Sequence, residues 1–151
     1  MLKGIDPLLT PELLKVLAEM GHGDEIVIAD ANFTAASLAA GKPLLHLAGA
    51  GVARAVEAVM SLLPLDQDVS QPVGYMQVSH QPDGWRSALQ SHVINSLSER
   101  GQALDNQCEA IERFAFYERV KQAYAIVLTS ELQPYGNFIL KKGVICEPLA
   151  G

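Results

Sequence analysis

A chain of 151 residues fits one domain and is long enough to bury roughly 70% of the surface that its unfolded form exposes. With 49% hydrophobic and only 19% charged residues it is no disordered chain, and a net charge of −6 with 11 scattered Lys and Arg gives no footprint for nucleic acid. A mean hydropathy of +0.16 is apolar for a small monomer, so an oligomer that hides the surplus in subunit contacts is expected. No apolar run approaches the roughly 20 residues that span a bilayer, and Met1-Leu2-Lys3-Gly4 does not lead into a signal-peptide core, so the expected location is cytoplasmic. Cys108 and Cys146 lack metal-ligand spacing and are too few for a disulfide framework; both are read as packing residues in a reducing compartment.

Thr10-Pro11 is an N-cap followed by a first helical residue, and Leu13, Leu14, Val16, Leu17 and Met20 predict a helix over 11–20 that Gly21 stops. Glu25 to Ala29 is short, apolar and β-branched, hence a buried strand with Asp30 at its C-terminal end. A second strand is predicted over 43–47. A helix follows, with Val52, Val56, Val59, Met60 and Leu63 on one face, ending at Pro64. Residues 73–79 form a third strand candidate, and 81–102 an amphipathic helix interrupted by polar residues. A helix over 113–123, an apolar run at 125–128 and, after the Pro134-Tyr135-Gly136 turn, another at 138–140 complete the pattern. Alternating strands and helices predict an α/β fold: a single-domain layered structure over 1–151 with a central mixed or mostly parallel sheet flanked by helices.

His22 stands between Gly21 and Gly23, past a helix C-terminus and before a buried strand. The glycines let a ligand approach, and the negative end of the helix dipole favours a protonated imidazole, which makes His22 a candidate proton donor. The bland alternative is a capping or loop histidine. Asp30 ends the same strand, where α/β sheets place their ligand crevice; the alternative is a turn carboxylate. The stretch Arg113-Phe114-Ala115-Phe116-Tyr117-Glu118-Arg119 puts Arg113 and Tyr117 on one helical face, an aromatic and charged mixture that suits a sugar. Phe114 and Phe116 are expected in the core, and Glu118 and Arg119 in solvent. Tyr135-Gly136-Asn137 is a turn signature that can serve as a binding loop. His46, His80 and His92 show no ligand spacing. Nucleophile-elbow, phosphate-loop, zinc-protease and dinucleotide signatures are missing, so proton transfer without a metal or cofactor is the chemistry best served.

Residues 11–26 with Asp30-Ala31 closely resemble the opening of the L-fucose mutarotases, in the family that also contains D-ribose pyranase. The blocks 113–119, 125–127, 135–137 and 140–144 are similar to that family's C-terminal half. The resemblance implies an isomerase that interconverts the α and β anomers of a monosaccharide, most closely L-fucose. It implies His22 as general acid and substrate contacts at Asp30, Arg113, Tyr135, Gly136 and Asn137, with Tyr117 a further candidate. It also implies a homodecamer with sites between subunits. Where the family usually has His-Phe-Pro, this chain has Asn32-Phe33-Thr34, which leaves the sugar open. The rival readings are a D-ribose pyranase, a non-catalytic monosaccharide-binding module and a purely structural assembly protein.

Overall fold

A computed structural model describes residues 1–151. Its elements run α1 (Pro11–Glu19), β1 (Glu25–Ala29), α2 (Ala35–Ala39), β2 (Leu44–Leu47), α3 (Val52–Met60), β3 (Val73–Met76), α4 (Ala88–Glu99), β4 (Cys108–Ile111), α5 (Arg113–Gln122), β5 (Ala125–Thr129) and β6 (Phe138–Lys141). The strands form one six-stranded sheet in the order β2-β5-β1-β6-β3-β4, in which β6 alone runs antiparallel to its neighbours. The fold is therefore α/β with a mixed, mostly parallel sheet.

The alternation of side chains along each strand divides the core. Ile26 and Ile28 of β1, Tyr75 of β3 and Phe138 of β6 face α1, α3 and α4, whereas Val27, Ala29, Met76 and Ile139 face α2 and α5. Both sides of β1 are covered, which is why it reads as a continuous apolar run. Thr10 caps α1 by accepting a hydrogen bond from Leu13 N at 3.1 Å, as the Thr-Pro pair predicts.

Several expectations need correction. The helix predicted over 81–102 occupies only Ala88–Glu99: Gly84 turns the chain at φ 81°, and Ser87 starts the helix through a reciprocal capping box with Gln90. The helix before Pro64 ends at Met60, because turn hydrogen bonds close residues 61–63 and the residue before a proline disfavours helical geometry. The third strand stops at Met76, since β6 begins at Phe138 and β4 ends at Ile111, leaving residues 78–79 without a pairing partner. Phe114 is 66% exposed rather than in the core, while Phe116 is fully buried. Arg119 is not solvated: lying under α5 against the sheet, it forms ion pairs with Glu25 (2.7 Å) and Glu109. Cys146 is exposed rather than packed; Cys108 is buried, and burial pushes its thiol up to about 11.

Candidate functional site

All parallel strands end at the same edge of the sheet, and the reversed strand β6 begins there. Asp30 follows β1, Met76 ends β3, Arg113 opens α5 directly after β4, and Asn137 precedes β6. These four residues, with Asn32, Phe33, Tyr117, Pro134 and Tyr135, line a cleft of about 230 Å³. The cleft is smaller than the roughly 300–1,000 Å³ typical of drug-sized ligands and suits a small polar molecule.

Its floor is a buried polar pair. Asp30 N donates to Asn137 Oδ1 at 2.8 Å, and Asn137 Nδ2 donates back to Asp30 Oδ2 at 3.0 Å; Asp30 Oδ1 accepts from Asn32 N at 3.0 Å. Asp30 is 5% and Asn137 2% exposed. Burial raises the Asp30 carboxyl above its ordinary value, opposed by the hydrogen bonds from Asn32 and Asn137. Each carboxylate oxygen retains accepting capacity for a ligand hydroxyl.

One wall is aromatic and cationic. Phe33 packs on Tyr117 with ring centroids 5.8 Å apart, and Arg113 Nε donates to the Tyr117 hydroxyl at 2.9 Å across one helical turn. The Arg113 guanidinium also lies over the rings of Phe114 and Tyr117, at 5.6 and 5.5 Å. Exposed Phe114 thus flanks Arg113 instead of filling the core.

The other wall is the loop before β6. Tyr135 adopts a left-handed conformation at φ 61°, and Gln90 of α4 braces it by donating to Tyr135 O at 3.0 Å and to Met76 O at 2.7 Å. Gly136 lies buried behind the loop; a Cβ there would press on Leu89 at 3.0 Å and on Gln133 O at 3.2 Å. It shapes the loop rather than lining the cleft.

His22 is not in this cleft. It precedes β1, whereas Asp30 follows it, and a five-residue strand spans about 17 Å. The imidazole is 44% exposed, and its Nε2 lies 3.0 Å from Asp66 Oδ1 and 3.5 Å from Asp68 Oδ2. Asp66 itself is 4% exposed. The hydrogen bond from Asp68 N, followed by the contact with His22, holds its carboxyl below the ordinary value. An ionised carboxylate only accepts, so Nε2 carries the proton of this pair and Nδ1 is the nitrogen left to meet a ligand. The ligand atoms of His22, Asp66 and Asp68 lie within 4.8 Å of one another, but the His22–Asp66 hydrogen bond accounts for that geometry and no metal is assigned.

The structure therefore gathers Asp30, Arg113, Tyr117, Tyr135 and Asn137, and leaves His22 at the opposite edge of the sheet. Sequence reasoning missed Asp66, Met76 and Gln90. The only local sign of Asp66 is a pair of aspartates after Pro64; its link to His22 spans 44 residues.

The cleft at the carboxyl edge of the strands combines buried hydrogen-bond acceptors with aromatic rings, the two kinds of partner that a small hydroxylated molecule requires. The RbsD / FucU transport protein family model matches residues 3–145, and the chain belongs to that family. It is 48% identical over 145 residues to the L-fucose mutarotase of Glaesserella parasuis serovar 5, covering 95% of this chain and 96% of that one. Its fold superposes on the fucose mutarotase of Streptococcus pneumoniae in complex with L-fucose with a TM-score of 0.85, at 39% identity and coverage of 96% and 100% of the two chains. Bacillus subtilis RbsD complexed with D-ribose is more distant, with a TM-score of 0.74 at 25% identity over 97% of this chain and 100% of the other.

Proposed function

We propose that this protein is a mutarotase that interconverts the anomers of L-fucose. The cleft carries the reading: buried acceptors on Asp30, a donor on Arg113 and the rings of Phe33, Tyr117 and Tyr135 offer a monosaccharide both hydroxyl partners and an apolar face. The higher identity to the fucose mutarotases than to the ribose-bound RbsD favours fucose over ribose.

Anomer exchange needs the ring oxygen protonated as its bond to the anomeric carbon breaks, and the anomeric hydroxyl deprotonated as it becomes the aldehyde oxygen. Rotation about the adjacent carbon-carbon bond then lets the hydroxyl re-add to the other face, returning both protons. In this reading His22 delivers the proton to the ring oxygen from Nδ1, and the Asp66 carboxylate, accepting from Nε2, holds the ring in the orientation that does so. Asp30 and Arg113 hold sugar hydroxyls, with the Tyr135-Gly136-Asn137 loop closing the site. Tyr117 or a water takes the anomeric proton. General acid-base catalysis contributes roughly 10²–10⁴-fold, which is enough for a reaction that already proceeds slowly in water.

The distance between His22 and the cleft supports a site shared between subunits. An apolar groove of about 560 Å³ lined by Leu2, Leu14, Leu17, Leu62, Pro64 and Ile145 adjoins Lys142 and Gly143, close to the His22 loop, and suits burial against a second copy. The assembly is proposed as a decamer. No helix is long and apolar enough to cross a membrane, and the two unpaired cysteines agree with a cytoplasmic location.

Saturation-transfer NMR on a panel of monosaccharides tests the reading. Accelerated exchange between the α and β signals of L-fucose is expected. Acceleration confined to the furanose-pyranose exchange of D-ribose would replace the substrate, and binding of L-fucose with no accelerated exchange would make the protein a sugar-binding module instead.

A further inference from the structure

We infer that Lys142 is a positioning residue that fixes the His22 loop for proton transfer, an inference that rests on His22 being the proton donor. Helix α1 has no basic residue in its last turn, and its terminal carbonyls are served from elsewhere in the chain: Lys142 Nζ donates to Leu17 O at 2.7 Å and to Met20 O at 2.5 Å. An ammonium at a helix C-terminus satisfies carbonyls that have no partner in the helix and offsets the negative end of the dipole. Here it does so two residues before His22, so the helix end expected from the sequence to favour a protonated imidazole is already met by Lys142, and the group that faces the ring is Asp66.

The main chain of Lys142 holds the other side of the same loop. Gly23 N donates to Lys142 O at 2.8 Å, and Lys142 N donates to Asp24 O at 2.8 Å. The five residues from Met20 to Asp24 are thus tied to one residue through its side chain at the start and its backbone at the end. His22 lies in between, on a turn that Gly23 makes at φ 84°.

The flanking residues of the same strand end place the partner of His22. Asp66 N donates to Lys141 O at 3.0 Å, Gly143 N donates to Pro64 O at 2.8 Å, and Leu65 bridges Lys142 in antiparallel fashion. Gly143 permits this approach, because a Cβ there would meet the Asp66 Cα at 2.8 Å. One short segment, 141–143, therefore sets both the imidazole and the carboxylate. Of its three residues, Lys142 is the one whose side chain reaches the His22 loop.

The inference is tested by kinetics in the full-length protein, with rate and affinity separated. Lys142→Met is expected to lower kcat for anomer exchange about tenfold or more, the usual consequence of an acid displaced by a fraction of an ångström to an ångström, with KM changed less than twofold. Lys142→Arg, which keeps charge and donors, should recover most of the loss. Lys142→Gln, which loses the charge but keeps an amide NH2 on a shorter stem, serves the same comparison if the methionine variant folds poorly. The deciding arm is the double variant with His22→Gln. If Lys142 acts through His22, adding Lys142→Met to His22→Gln leaves the residual rate unchanged. A full kcat in the Lys142→Met single variant, or the same loss with and without His22, overturns the inference while leaving His22 as the acid. A His22→Gln variant that retains the full rate instead overturns the proton-donor reading itself.

Discussion

Asn137 and Asp30 exchange two hydrogen bonds across 107 residues of chain, Asn137 Oδ1 accepting from the Asp30 backbone and Asn137 Nδ2 donating to the Asp30 side chain. The pair ties the start of β6 to the end of β1, and it sets the Asp30 carboxylate in the lining of the cleft. Truncating Asn137 to Ala leaves the Asp30 N–H and carboxylate short of partners at a nearly dry site. A loss of about 2 kcal/mol is expected, together with weaker sugar binding. Thermal unfolding should show a midpoint lower by roughly 4–8 °C; an unchanged midpoint would mean that water replaces both bonds at no cost.

The two edges of the sheet answer to pH with opposite sign. The Asp66 carboxyl is depressed below its ordinary value near 3.8, so its contribution to stability is present above that value and is lost as pH falls through the lower folded-state value. Asp30 is raised by burial, so its contribution is full below 3.8 and is lost as pH climbs through the raised value. In unfolding scans from about pH 2 to 6, Asp66→Asn should flatten the loss of stability on the acid side. An acid limb as steep as that of the wild type would show that the contacts of Asp66 are not maintained in solution.

Gln90 is a buried polar side chain in a helix whose other inward residues are apolar, and it holds the carbonyls of Met76 and Tyr135. Gln90→Leu keeps similar bulk and strands both carbonyls. Each lost partner costs about 1–3 kcal/mol where water cannot enter, and the left-handed backbone at Tyr135 loses its brace. KM for the sugar should rise several-fold, while the exchange rate at saturation changes little. A variant with wild-type KM would show that the loop keeps its shape without the glutamine.

Shared sites predict complementation. His22→Ala and Arg113→Ala are each expected to be nearly inactive, and both alter exposed side chains that the core does not need. Mixed oligomers would contain some sites with an intact His22 from one chain and an intact Arg113 from another, and so regain activity that neither parent has. Mixed assemblies with verified subunit exchange and no gain would place the whole site within one chain, which would then have to bring its His22 loop across the sheet edge.

What the sequence disclosed was local. The Thr10-Pro11 cap, the apolar runs that became β1 and β5, and the turn before β6 all carry their signals within a few adjacent residues. Strand β4 escaped because Cys108-Glu109-Ala110-Ile111 is short, has a charge at its centre and pairs only with β3 at the sheet edge. Arg119 looked like a solvated helix residue because its partners Glu25 and Glu109 come from two separate strands. Asp66 was hidden for the same reason: nothing near it in the chain mentions His22. Cleft residues that lie in motifs could be found in the sequence, whereas Met76 of the cleft and Gln90, which braces its loop from behind, both recruited from the middle of the chain, could not.

The reversed strand β6 has its first end in the Asp30 cleft, through Asn137, and its last end under the His22 loop, through Lys142. Its side chains at 138, 139 and 140 are fully buried and alternate between the two core layers. Removing or adding a single residue would turn the side chains beyond that point to the wrong layer and move one terminus by a whole residue relative to the other. Insertions that surface loops tolerate are thus forbidden here. If sites are shared between subunits as proposed, this strand would be a rigid strut between two neighbouring reaction centres, and its length would be the ruler that keeps them apart.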